Sequence, residues 1–126
     1  MEAFIKDFYN TTYDAVVATA GGTGTGAIDA DACFVHVTSS GATLQVALPA
    51  ASIGKRLRLF VGANGCELIS SVAAHKVNNV VVGATNEAAI PANTYCELEY
   101  VDTNTWLLRA FNNLGAELTA IIPDAL

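Results

Sequence analysis

TLQVALPAASIGKRLRLFVGANGCELIS, residues 43–70, decides the fold class. Leu44, Val46 and Leu48 alternate with Thr43, Gln45 and Ala47, the period of two that a half-buried strand requires. Pro49 ends the run because it offers no N–H to a ladder. In the second half Leu57, Leu59 and Val61 alternate with Arg56, Arg58 and Phe60. Asn64-Gly65 follows, two residues that tolerate positive φ and signal a hairpin, so CELIS (66–70) is expected to return beside the strand before it.

The same punctuation continues toward the C-terminus. KVNNVVVG (76–83) reads as one strand, followed by a polar loop to Pro91. YCELEYV (95–101) places Cys96, Leu98 and Tyr100 on one face. The Asp102-Thr103-Asn104 turn then leads into TWLLRAF (105–111), a second expected hairpin. The tail AELTAIIPDAL carries Leu118, Ile121 and Ile122 as a last strand or a C-terminal arm.

Toward the N-terminus, CFVHV (33–37) reads as a strand and DAVVAT (14–19) as a first one. Between them AGGTGTG (20–26) reads as a flexible hinge. Ahead of it, residues 1–13 hold Phe4, Ile5, Phe8, Tyr9 and Tyr13; Ile5, Phe8 and Tyr9 have the spacing of a short amphipathic turn. Roughly seven or eight short strands at turn spacings of about 8–12 residues predict an all-β domain. The expected architecture is a small antiparallel β-sandwich or barrel, jelly-roll-like, with an extended N-terminal arm. Residues 1–30 form arm and hinge, and residues 31–126 the β domain with its tail.

Composition narrows the function classes. Apolar residues make up 52% of the chain and charged residues only 14%, against roughly 25% charged in soluble domains generally. Such a weakly charged surface suits lasting contact with other subunits. The net charge of −6, with six basic residues in all, argues against nucleic acid, whose phosphates need clustered Lys and Arg. Lys55, Arg56 and Arg58, the one close basic group, read as a polar strand face near a sheet edge. No apolar run approaches the roughly 20 residues that span a bilayer. MEAFIKDFYNTT lacks the pattern of a signal peptide, so assembly in a cytoplasm is expected, with Cys33, Cys66 and Cys96 as free thiols.

Catalytic and cofactor patterns fail on inspection. Gly22 and Gly24 fit the first two positions of a dinucleotide fingerprint, but the third position is Ala27 and no helix follows. Gly54-Lys55 resembles a phosphate loop, yet Pro49 stands where the earlier glycine belongs and Arg56 where Ser or Thr belongs. Glu97 and Glu99 share a strand face at roughly 6–7 Å spacing, a separation at which carboxylate pairs hydrolyse glycosides; the plainer reading pairs them with Arg56 or Arg58 across a sheet or a subunit boundary. His36 and His75 lack HxH or HExxH partners, Asp29 and Asp31 lack a fuller ligand ladder, and Ser70-Ser71 lacks a GxSxG elbow. No enzyme activity, cofactor or metal is expected. Trp106, beside Leu108 in an alternating strand, is expected as a core or interface anchor; exposed, it would be a platform for a sugar.

From Gly26 to Phe111 the order of strands and turns resembles a module of tailed-phage virion proteins. The strand closing in Leu48-Pro49, then Gly54-Lys55, Asn64-Gly65, and the stretch AIPANTYCELEYVDTNTWLLRAF carry the resemblance. Similar patterns occur in capsid decoration (cement) proteins and in head or tail fibre domains. The resemblance implies a non-enzymatic homotrimer on the outer surface of a capsid, bound to the major capsid protein and assembled in the host cytoplasm. On that reading Phe4, Phe8, Tyr9, Trp106, Ile121 and Ile122 form the assembly interface. A receptor- or glycan-binding fibre domain is the alternative, and a small hydrolase a distant third.

Overall fold

The computed structural model describes residues 12–83 and 85–125. Apart from two single 3₁₀ turns, Ala20–Gly22 and Gly24–Gly26, its regular structure is β. The strands are β1 (Tyr13–Val17), β2 (Phe34–Thr38), β3 (Gln45–Leu48), β4 (Arg56–Val61), β5 (Cys66–Ser70), β6 (Lys76–Val77), β7 (Val80–Val81), β8 (Asn86–Ile90), β9 (Thr94–Tyr100), β10 (Thr105–Phe111) and β11 (Asp124–Ala125). They build a seven-stranded sheet in the order β1-β2-β4-β9-β10-β6-β7 and a four-stranded sheet in the order β11-β8-β5-β3. Both sheets contribute to one apolar core, as an all-β sandwich requires.

The sheets are mixed, where uniformly antiparallel pairing was expected. β1 with β2, β2 with β4, β3 with β5 and β10 with β6 all run parallel. For β2 with β4 and β3 with β5 the reason is visible at the Asn64-Gly65 turn. Both residues adopt positive φ (77° and 67°), as their identities predict. The turn, however, does not close a hairpin: β4 pairs with β2 and β9, while β5 pairs with β3 and β8 in the other sheet. From β2 to β5 successive strands alternate between the two sheets. Each crossing reverses the chain, so every second strand runs the same way and pairs in parallel.

Residues 19–27 complete this winding. Thr19 bridges to Gln45 and Ala27 to Ala47, so the segment between β1 and β2 flanks β3 as the outer layer of the smaller sheet. The glycine-rich stretch expected to act as a flexible hinge is therefore packed. Gly22 and Gly26 are buried, and a Cβ at position 26 would lie 2.7 Å from Thr19 Oγ1 and 3.0 Å from Gln45 O. Glycine serves close approach here. The body consequently begins at β1, inside the span expected to be arm and hinge.

Two further elements differ from the sequence reading. KVNNVVVG folds as the short pair β6 and β7 around Asn78-Asn79, both at positive φ (48° and 71°), and is not a single strand. The Asn78 side chain also donates to Leu108 O and Ile121 O and accepts the Leu108 N–H, tying β10 to the C-terminal tail. The segment read as a polar loop contains β8, which pairs with β5 and β11. Asn, Glu and Ala are poor strand formers, so NEAAI gave no local signal; Glu87, Ala88 and Ile90 are nonetheless buried.

The expected β9–β10 hairpin is present, with Tyr100 opposite Trp106. Asp102 Oδ1 accepts the Asn104 N–H within its turn. Arg56 and Arg58 lie on β4, third in the seven-stranded sheet and not at its edge.

Candidate functional surface

Strand alternation sorts the seven-stranded sheet into an inner and an outer face. Val35, Val37, Leu57, Leu59, Val61, Cys96, Leu98, Trp106 and Leu108 point inward and are buried. The residues between them point outward, and the strand registers align these into three rows.

The first row crosses His36, Phe60, Tyr95 and Phe111. Its rings are neighbours: His36 and Phe60 lie 5.9 Å apart and Tyr95 and Phe111 6.0 Å apart, each pair tilted. The second row crosses Tyr13, Phe34, Arg58, Glu97 and Arg109. Tyr13 stacks on Phe34 at 6.3 Å, and the Arg58 guanidinium sits over the Phe34 ring at 5.4 Å. Arg109 lies 5.4 Å over Phe111 and grips Glu117 through Nε and Nη2 at 3.1 and 3.0 Å. The third row crosses Arg56, Glu99 and Leu107, with Arg56 Nε 3.4 Å from Glu99 Oε1. The expected pairing with a β4 arginine is thus made within one sheet for Glu99, while Glu97 lies opposite Arg58 in the register.

A sheet face turned to water is ordinarily polar. This one carries six rings, and Tyr13 is 58% and Leu107 50% exposed. Over the second and third rows lies a groove of about 700 Å³, with Leu57, Leu98, Val101 and Leu107 beneath and Arg56 and Glu99 beside it. A second, shallower cleft of about 490 Å³ closes the end of the first row against the Asn112–Gly115 turn. Electrostatics on the face are local. Partial burial, then the Glu97 charge, holds the Tyr95 phenol above its ordinary value, and its O–H donates to Glu97 Oε2 at 3.3 Å. The hydrogen bonds from Arg109 hold the exposed Glu117 carboxyl below the usual range.

The residues expected at an assembly interface fall into three groups. Phe4, Phe8 and Tyr9 lie outside the described residues. Trp106 is fully buried and meets Tyr100 edge-on at 5.2 Å, so it anchors the core and cannot touch a partner or a sugar. Ile121 packs partly buried against the core, while Ile122, 57% exposed, remains on the surface. The sequence reading missed Phe34, Phe60, Tyr95 and Phe111; their signal was the outward phase of strands whose inward phase had already been read.

Three other clusters carry potential chemistry. Ser70 Oγ and His75 Nδ1 are 2.8 Å apart, and His75 Nε2 lies 3.2 Å from the Tyr100 hydroxyl. Tyr100 donates to Thr103 O, so its oxygen accepts from Nε2–H and the ring takes the neutral tautomer that accepts from Ser70. Burial lowers the His75 pKa in the same sense. The chain of bonds is interior and joins β5, the β6 approach and β9; it is a tie, with His75 and Tyr100 both buried.

Cys66 and Cys96 are buried free thiols pushed up to about 12 by desolvation, which makes them inert, and Cys33 is a half-buried free thiol. On the smaller sheet Glu87 is buried with neither carboxylate oxygen hydrogen-bonded among the described residues. Partial burial and the charges of Glu87 and Asp124 hold neighbouring Glu67 above its ordinary value. Among the described residues no group of three or more His, Cys, Asp or Glu is placed to hold a metal ion, and no helix is long and apolar enough to cross a membrane.

The chain matches no family model, no curated protein and no solved structure. Its functional reading rests on the strand-and-turn resemblance and on the outer face.

Proposed function

We propose that this chain is a structural, non-enzymatic protein of a virus particle: a cement protein that binds the outer surface of a phage capsid, against the major capsid protein, as a homotrimer. The observation that supports it best is the outer face of the seven-stranded sheet, where Tyr13 and Leu107 stand half exposed among complementary Arg and Glu side chains. Apolar anchors flanked by polar pairs are the anatomy of a protein interface. The mechanism is mechanical. A stable contact buries roughly 800 Å² per partner, and a few side chains at its centre dominate the affinity. Repeated over a capsid lattice, modest contacts would resist separation of neighbouring capsid subunits.

Light scattering with native mass spectrometry, and sedimentation of the purified protein with undecorated particles, test the reading. A trimer that co-sediments with particles is expected. Leu107→Glu, which sets a charge into the groove without touching the core, should fold normally and lose attachment. A protein that stays monomeric at high concentration and never co-sediments ends the reading.

A further inference from the structure

The cleft at the end of the aromatic row is built differently from the groove beside it. Phe60, Tyr95 and Phe111 form its apolar wall, and Glu97, Asn112 and Asn113 its polar rim. It is an open, shallow depression of about 490 Å³. The tilt of 36° between the Tyr95 and Phe111 rings prevents them from covering each other face to face.

The rim is prepared for hydrogen bonding. Asn112 Oδ1 accepts the N–H groups of Leu114 and Ala116 at 2.9 and 3.0 Å, which fixes the amide plane and leaves its NH₂ group without a partner among the described residues. Glu97 supplies acceptor oxygens, one already receiving the Tyr95 hydroxyl. Two guanidiniums lie nearby: Arg109 is occupied by Glu117 through two hydrogen bonds, and Arg58, opposite Glu97 in the register, sits over the Phe34 ring and beside Tyr95.

We propose that this cleft binds one or two rings of a neutral saccharide. A pyranose has one face of C–H groups and a rim of hydroxyls that both donate and accept. The C–H face matches the ring wall. The hydroxyls match a fixed amide donor and a carboxylate acceptor. A purely apolar ligand would cover Asn112 and leave its NH₂ group unpaired, at a cost comparable to its gain from burial. An anionic ligand would meet the Glu97 carboxylate on the cleft's own rim, while Arg109 is already neutralised by Glu117 and Arg58 is engaged with Phe34 and Tyr95 in the next row. The inference goes beyond the assembly reading and does not depend on it.

The full-length protein, probed on an array of neutral gluco-, galacto-, manno- and N-acetylglucosamine oligosaccharides, tests the assignment. The best-binding saccharide is then titrated while ¹H–¹⁵N spectra are recorded. Binding by a neutral saccharide is expected, with amide shifts at Tyr95, Glu97 and residues 111–115. Phe111→Ala and Glu97→Gln, each with an unchanged circular dichroism spectrum, should weaken it at least tenfold, whereas Leu107→Ala, two rows away, should not. No neutral saccharide bound, binding only of sialylated or sulfated glycans, shifts elsewhere, or affinity unchanged in Phe111→Ala each overturns the proposal. Particle co-sedimentation of Phe111→Ala separates the two readings: loss of saccharide with attachment retained leaves the assembly reading intact.

Discussion

His75 and Trp106 show what single residues contribute here. His75 is held neutral between a donor, Ser70, and an acceptor, Tyr100. Its pKa in the fold lies below the ordinary value of about 6.5 because burial disfavours the imidazolium. The unfolded chain therefore binds this proton more readily, and stability is full above about pH 6.5 and lost as the pH falls through the lowered value. Denaturant melts from pH 8 to pH 5 should show a declining midpoint, and His75→Gln should flatten that decline; an equally steep decline in the variant assigns it elsewhere. Trp106 fills the core against Tyr100. Trp106→Ala should cost about 3–5 kcal/mol, a large share of the roughly 5–15 kcal/mol available to a domain. Urea unfolding would measure it, with Trp106→Phe falling between.

At the scale of elements, the alternation in YCELEYV and TWLLRAF was enough to place both strands, their inward residues and the turn between them, because a local hairpin is specified by local residues. Asn64-Gly65 was read correctly as a turn and incorrectly as a hairpin. Its φ values are set by residue type, but whether β5 returns beside β4 or crosses to the other sheet is set by which apolar faces meet, which no short stretch encodes. For the same reason β8 was invisible: NEAAI is a strand only because β5 and β11 flank it. The outer face was half legible. That the β9 carboxylates meet Arg56 or Arg58 is legible in two alternating strands, but which pair forms, and the row of Phe60, Tyr95 and Phe111, need the register between three strands. The glycine-rich segment is the sharpest case, since flexible in isolation is not flexible when packed. Gly26→Ala sets a Cβ 3.0 Å from the Gln45 carbonyl, a backbone atom that cannot swing away as the Thr19 hydroxyl can. Overpacking of this kind costs about 1–3 kcal/mol, so the variant should melt at lower denaturant. A change within about 0.5 kcal/mol, the size typical of surface substitutions, would mean the segment yields as a hinge does.

The whole molecule poses the question of how such a body would hold to a particle. Every residue of its core cluster lies between Val16 and Ala110, with Leu118 and Ile121 packed against the edge. Residues 1–11 precede all of these and contribute Phe4, Ile5, Phe8 and Tyr9. They join the body at Thr12, whose carbonyl accepts the N–H groups of Cys33 and Phe34 beside the aromatic start of the second row. A segment of 11 residues reaches up to roughly 35–40 Å when extended, farther than the roughly 29 Å that seven strands span at 4.8 Å spacing. On the cement reading it is long enough to engage a neighbouring subunit. Each aromatic side chain buried there would contribute on the order of 1.5–3 kcal/mol before the cost of ordering. On the cement reading, removing residues 1–11 should leave the circular dichroism spectrum and the cooperative unfolding of the body in place, while particles decorated with the shortened protein release it sooner on heating. Leu107→Glu provides the comparison, since it alters the sheet face and leaves the N-terminal segment untouched. If the shortened protein decorates with unchanged affinity and heat resistance while Leu107→Glu detaches, the outer face carries the attachment alone. If the shortened protein detaches and Leu107→Glu does not, the anchor is the N-terminal segment, and the half-exposed sheet face is left to contacts between copies of the chain.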